Sequence, residues 1–448
     1  MSIPDVIAVV DEGLGNSSYV VDLGDGRALV VDPVRHPRGY LDKARCRGLE
    51  VAYAVETHLH ADFVSGAREL SALGTQVMAP ADALHRYAVQ GLRDGDERDL
   101  GPLRLRALAT PGHTPEHLSY LLFDGRRPVA LFSGGSLLVG AVARTDLIDA
   151  AMTERLARDL WRSLQERVMV LPDDLPVFPT HGAGSFCSAP AGAERITTIG
   201  REKASNPLLA ATDESAFVER LMAGLGSYPP YFLRLRDVNR NPRLHGPGAP
   251  VLPEVSPDDV RRLQRGGAWV VDARPIAAFA AGHVPGSVSI ALRPQFATWL
   301  GWIVPPGAPL VFVLDADQDR AEIVRQARAV GYDDVMGELV GGMECWVAAG
   351  GEAATTPLAP VADAHDPVVD VRQRSEYRAG HIPGSVSAEL GDLEPSTLPA
   401  GPITVMCGHG ERAMTAATVL ARAGRHDVTV LIGGPDEWSA RHGRLDHA

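Results

Sequence analysis

Two groups of residues in this sequence have the types and spacing to do chemistry. The first is Cys407-Gly408-His409-Gly410-Glu411-Arg412, directly after the apolar run Ile403 to Met406. Read as strand, tight loop and helix, it sets the thiol against unpaired backbone N–H groups and the positive end of a helix dipole. That environment favours thiolate, the reactive form. Gly408 and Gly410 let the backbone curl around the sulfur, and the Arg412 guanidinium can steady an anion or cap the loop. Four residues separate the cysteine from the arginine. That ring suits a persulfide sulfur, being one residue shorter than the cradle with which cysteine phosphatases hold a tetrahedral phosphate. The second group is rich in histidine. Thr57-His58-Leu59-His60-Ala61-Asp62 follows the apolar run Val51 to Val55. Its histidines, two apart on an extended loop, project to one side as a chelating pair requires. His113, in Thr110-Pro111-Gly112-His113-Thr114, and His181, in Phe178-Pro179-Thr180-His181-Gly182, each sit at a turn after an apolar run. Four histidines with Asp62 beside them make a candidate metal set.

The elements that must position these groups are legible from an internal repeat. DARPIAAFAAGHVPGSVS at 272–289 and DVRQRSEYRAGHIPGSVS at 370–387 lie 98 residues apart. Later in each unit the offset falls to 92, aligning Leu310 to Arg320 with Ile403 to Arg412, and GGMECW (341–346) with GGPDEW (433–438). Two registers that each hold across several motifs mean two domains of one fold. Strands alternating with helices predict a parallel sheet with its site at the strand carboxyl ends. Asp315 stands at the position of Cys407, so the first repeat, 255–350, is expected to be catalytically silent. Cys345, in the GGMECW turn, is expected to be a core or surface residue. The second repeat is placed at 366–448 after an Ala/Pro-rich linker at 351–365, and 201–254 is expected to be a helical, Pro-rich connector behind an N-terminal domain at 1–200.

Composition narrows the setting. A chain of 448 residues holds two to four domains, at roughly 100–200 residues each. A net charge of −13 argues against nucleic-acid or anionic-membrane partners. No run approaches a membrane span, the start (Met1-Ser2-Ile3-Pro4-Asp5) lacks the pattern of a signal peptide, and the four cysteines lack CxxC spacing. A cytoplasmic protein is expected.

The Asp-x-Arg…Gly-His-x-Pro-Gly signature and the Cys407 to Arg412 loop resemble the rhodanese (sulfurtransferase) family. That resemblance implies a cysteine persulfide on Cys407, supported by Arg412 and the loop residues Gly408, His409, Gly410 and Glu411. Its sulfur would come from thiosulfate or a persulfide and pass to a small thiol such as glutathione. THLHAD, the TPGHT turn and the late histidine resemble the metallo-β-lactamase superfamily and imply an αββα sandwich. LFSGGSLLVGAVARTD (131–146) and PTHGAGSFCS (179–188) are similar to segments of the persulfide dioxygenases, some of which are fused to rhodanese domains. That likeness implies a homo-oligomer and Fe(II) held by two histidines and one carboxylate, with positions open for O₂ and persulfide.

The chain departs from that pattern twice. Phe63 stands where the motif has its last histidine, and Gly135 where the family has its iron-binding aspartate. His58 and His113 remain as iron ligands and the third is lost. His58, His60 and His113 could instead form a zinc site with an open position, Asp62 and His181 orienting a water. Asp146, in the RTD segment, is expected to be structural. The favoured function is sulfur transfer through Cys407, coupled to a persulfide dioxygenase-like domain with a degraded iron site. A metal-dependent hydrolase and a non-catalytic persulfide-binding or sensing protein stay open beside it.

Overall fold

The computed structural model describes residues 4–187, 194–246, 248–364 and 367–447. Met1 to Ile3, Ser188 of the late histidine loop, Pro247, and His365 and Asp366 at the end of the second linker lie outside them. The chain divides into two compact units. One is Met1–Ala249 with Arg328–Gly331, the other Pro250–Ala327 with Tyr332–Ala448.

The first unit is built on two six-stranded sheets. One runs in sequence order from Val6–Asp11 to Gln90–Leu92, antiparallel over its first three strands and parallel after them. The other holds Glu97–Asp99, Leu103–Ala109, Leu118–Asp124, Arg127–Gly134, Pro176–Pro179 and Thr197–Thr198. The strand Leu103–Ala109 shows how sequence makes a sheet face: Leu103, Leu105 and Ala107 are buried, while Arg104 and Arg106 alternate to the half-buried side. Tyr19, Val21 and Met78 of one sheet pack against Leu105, Tyr120 and Phe132 of the other in a single apolar cluster. The Tyr19 hydroxyl, buried between the sheets, donates to the Pro179 carbonyl at 2.6 Å. Helices Arg38–Arg45 and Ala67–Ala72 cover the outer face of the first sheet, and Thr153–Ser163 and Glu214–Ala223 that of the second. The expected αββα sandwich is present. Helix Phe232–Arg240, from the expected connector, belongs to this unit as well.

The second unit holds two five-stranded parallel sheets of the same strand order, as the repeat predicts. Trp269–Asp272 and Leu310–Val313 are central in the first, and Val368–Asp370 and Ile403–Met406 in the second. The shared motif explains itself in bonds. Arg274 chelates the buried Asp272 carboxylate and donates to the Gly282 carbonyl at 2.8 Å; Arg372 does the same with Asp370 and with Gly380 at 2.7 Å. Both histidines stack on an aromatic ring four residues earlier, His283 on Phe279 and His381 on Tyr377, each with centroids 3.8 Å apart. The first repeat also completes the second. Phe279 and Ala280 lie in the apolar cluster of Val405 and Met414, and Thr415 donates to the Ser289 carbonyl at 2.7 Å.

Gly391 packs directly on the Trp302 indole, so a Cβ there would overlap the ring. Gly391→Ala is expected to cost about 1–3 kcal/mol through overpacking. Chemical denaturation of the full chain, followed by the second unit's transition, checks this; an unchanged midpoint would contradict the packing described.

Candidate functional site

Cys407 ends the buried strand Ile403–Met406, and helix Glu411–Arg422 begins four residues later. Its Sγ accepts a hydrogen bond from the Gly410 N–H at 3.1 Å. Gly410 has φ +110°, and a Cβ on it would meet Ile276 and Ile432 at 2.9 Å, so the turn requires glycine. Arg412 makes a two-pronged pair with Glu376, at 2.6 and 2.9 Å. Burial pushes the Glu376 carboxyl up, but the Arg412 guanidinium brings it below its ordinary 4.5. Gly408 and His409 line a cavity of about 340 Å³ whose rim includes Arg372, Glu376, Gly434 and Asp436. The thiol itself is 1% exposed.

The first repeat shows what fills such a loop once the cysteine is gone. Gln318, at the position of Gly410, turns inward to accept from the Asp315 N–H at 2.9 Å and donate to the Ala273 carbonyl at 2.7 Å. Arg320 donates to the carbonyls of Asp315, Ala316 and Gln318. The anion cradle is occupied by the protein's own side chains. Cys345 is exposed, on helix Gly342–Ala348.

In the first unit His58, His60, His113 and His181 are all buried and close. Their ring centroids lie 4.2 Å (His58–His60), 4.8 Å (His58–His113), 5.5 Å (His58–His181) and 5.3 Å (His113–His181) apart. Hydrogen bonds fix three tautomers. The Thr57 hydroxyl donates to the Asp32 carboxylate at 2.7 Å, so its oxygen accepts from His58 Nδ1 at 2.8 Å. His113 Nδ1 donates to the Arg144 carbonyl at 2.7 Å. His181 Nδ1 lies 3.1 Å from both Asn16 Oδ1 and Asp62 Oδ2, acceptors for its proton. In each ring this leaves Nε2 with a lone pair, and all three Nε2 atoms are buried without a hydrogen-bond partner. Such an arrangement suits metal ligation. Burial, reinforced by the neighbouring rings, holds His58 and His113 well below the usual histidine range, so both are neutral.

His60 differs. Its Nε2 lies 3.1 Å from Glu56 and 3.3 Å from Asp32, and its ring stacks on Phe63 at 4.2 Å. Burial pulls its pKa down, but Asp32 and then Glu56 push it up to about 10. His60 is therefore cationic near neutral pH. Asp62, also raised by burial, is brought to about 2 chiefly by His181. Ligand atoms of His58, His60 and His181 lie within 4.8 Å of one another, as do those of His113, His181 and Cys187. The structure thus groups His113 with His181 and Cys187 instead of with His60. Asp146 is held by Arg144 at 2.7 and 2.8 Å, a structural role as expected.

Several residues at this site are invisible in the motifs. Asp32 and Glu56 hold His60, and Asn239 donates to the carbonyls of His60 and Phe63 at 2.8 and 2.9 Å. His117 accepts from the Gly135 N–H at 2.9 Å. Of these, only His117 carried a signal, lying four residues past His113 in the same turn.

Residues 11–181 match the metallo-β-lactamase superfamily, and 256–349 and 358–441 match the rhodanese-like domain. Human mitochondrial persulfide dioxygenase ETHE1 is 32% identical over 190 residues, covering 42% of this chain and 68% of its own length. The chain is a persulfide dioxygenase-family metallo-β-lactamase domain fused to two rhodanese-like domains. The fusion is a protein of sulfur metabolism. Hydroxyacylglutathione hydrolase of Methylococcus capsulatus is 35% identical over 162 residues, 35% of this chain and 58% of its own. A crystal structure of a metallo-β-lactamase from Staphylococcus aureus superposes with TM-score 0.65 at 27% identity, covering 75% of the fusion and 99% of that chain. Among the described residues no helix is long and apolar enough to cross a membrane.

At position 135, where the resemblance would put an iron-binding aspartate, this chain has glycine. Gly135 supplies no ligand, and the His113 ring lies over it, so a Cβ there would come 2.5 Å from His113 Cδ2 and 2.9 Å from Cγ. Gly135→Asp is accordingly expected to lower the melting temperature and to leave iron well below one per chain, measured by elemental analysis. Full iron loading with unchanged stability would contradict the ring placement. For Glu376, whose folded pKa is depressed, stability is present above the unfolded value and lost as pH falls through the folded one. The stability gap between wild type and Glu376→Gln should be largest above about pH 5 and close as acid protonates Glu376, read by denaturation across a pH series.

Proposed function

We propose that the fusion is a rhodanese-type sulfurtransferase whose nucleophile is Cys407. One observation carries the reading: a cysteine ends a buried strand under the Gly410 N–H, beside a polar cavity, while its counterpart Asp315 is walled in by Gln318 and Arg320. The Cys407 thiolate attacks the outer sulfur of thiosulfate. The S–S bond breaks, its electron pair leaves with sulfite, and Cys407 holds the sulfur as a persulfide. A small thiolate such as that of glutathione then attacks the outer sulfur, forming its own persulfide and returning the Cys407 thiolate. Two features support anion handling at the loop. The backbone N–H of Gly410 already points at the sulfur, and the Arg412 guanidinium, held by Glu376, is close enough to feel the charge of Cys407. Iron-dependent persulfide oxidation by the N-terminal domain is not part of this reading, because Gly135 offers no carboxylate.

Thiosulfate-to-cyanide sulfur transfer by the full chain is expected to fall to the uncatalysed background in Cys407→Ser. Turnover that survives this substitution would remove Cys407 from the mechanism and favour a binding or sensing role for the rhodanese domains.

A further inference from the structure

The histidine centre contains a thiol that the sequence motifs did not single out. Cys187 is buried, and its Sγ lies within 4.8 Å of the ligand nitrogens of both His113 and His181. Those histidines present Nε2 atoms that are buried and unpartnered, and their Nδ1 atoms are held by the Arg144 carbonyl and by Asp62 with Asn16. Two nitrogens and one sulfur therefore converge from two loops, each histidine backed by an outer hydrogen bond. Outer partners of this kind orient metal-binding imidazoles.

We propose that His113, His181 and Cys187 form a thiolate-containing site for a thiophilic divalent cation of the zinc class, in place of the carboxylate-containing iron site of the family. Three observations on different residues support it. Gly135 has lost the anionic ligand, and the His113 ring covers that position, so the centre needs its negative charge from elsewhere. Cys187 is a nearby group able to supply it, with the Asp62 carboxylate behind His181: on binding, the thiol releases its proton to solvent and the sulfur becomes anionic. Two nitrogens and one sulfur suit a tetrahedral ion with a fourth position open. Cys187 also borders a cavity of about 220 Å³ with Val142, Arg144, Phe186 and Leu208, which gives a small ligand access to the sulfur. The inference is independent of sulfur transfer at Cys407, since it concerns the other unit of the chain.

The test uses the full chain carrying Cys407→Ser, so that the rhodanese thiol cannot contribute. Loaded with zinc and examined by X-ray absorption, it is expected to bind about one ion per chain with a sulfur neighbour at about 2.3 Å. The same chain loaded with cobalt should show a thiolate-to-cobalt charge-transfer band, and Cys187→Ser should abolish the band. Absence of bound metal, a coordination shell of nitrogen and oxygen alone, or a cobalt band that survives Cys187→Ser would each overturn the proposal. The absorption measurement on the parent chain decides even where Cys187→Ser fails to fold.

Discussion

The Asp32 carboxylate is fully buried, and polar groups from two loops converge on it. The Thr57 N–H and hydroxyl each reach it at 2.7 Å, the Thr180 hydroxyl donates to the same oxygen as Thr57, and His60 Nε2 lies 3.3 Å away. A buried charge is costly unless it is paired and hydrogen-bonded, so these four groups are held together by the carboxylate they satisfy. Thr57 and Thr180 each immediately precede a histidine of the centre. Fixing them fixes the loops that carry His58 and His181, and the Thr57 hydroxyl further dictates which nitrogen of His58 keeps its proton. Asp32 sits at φ +47°, an unfavourable conformation for a non-glycine residue, which the surrounding bonds sustain. Remove this carboxylate and the histidines lose both position and tautomer.

The rhodanese half relies on a comparable economy. In each repeat one Asp–Arg pair anchors the chain between the first strand and the Gly-His turn. That anchor is retained in the first repeat, where Asp315 stands at the position of Cys407. The first repeat keeps its fold and lends Phe279 and Ala280 to the core of its neighbour, so its contribution is packing around the loop that holds Cys407. At the active loop the two diverge in the side chains that fill or empty it: glycines and a sulfur in one, Gln318 and an inward-bonded Arg320 in the other.

The repeats were legible because their determinants are local: the Asp–Arg pair spans two residues and the stacked histidine four. The same holds for the Cys407 loop, whose partner Gly410 is three residues on. The histidine centre was only partly legible. Its four histidines follow turn motifs, but the groups that set their chemistry come from far along the chain. Asp32 lies 25 residues before Thr57, and Asn239 lies 179 residues after His60. Cys187 lies in the late histidine loop, but nothing in its spacing marks it as a ligand, since its companions are histidines and not a second cysteine. Residues 201–254 read as a helical connector, but the part that helix Phe232–Arg240 plays at the site was hidden by its Pro- and Arg-rich surroundings: Asn239 is buried and holds the His60 loop.

On the proposed reading, what unites these parts is a sulfur carried on Cys407, and the most direct test is to trap it there. The purified full chain would be treated with thiosulfate, freed of excess donor, alkylated, digested and examined by mass spectrometry. The account predicts one additional sulfur atom on the peptide containing Cys407, lost on exposure to glutathione, with the Cys46 and Cys345 peptides unmodified. A Cys407 peptide without added sulfur, or sulfur carried equally by the exposed cysteines, would contradict it.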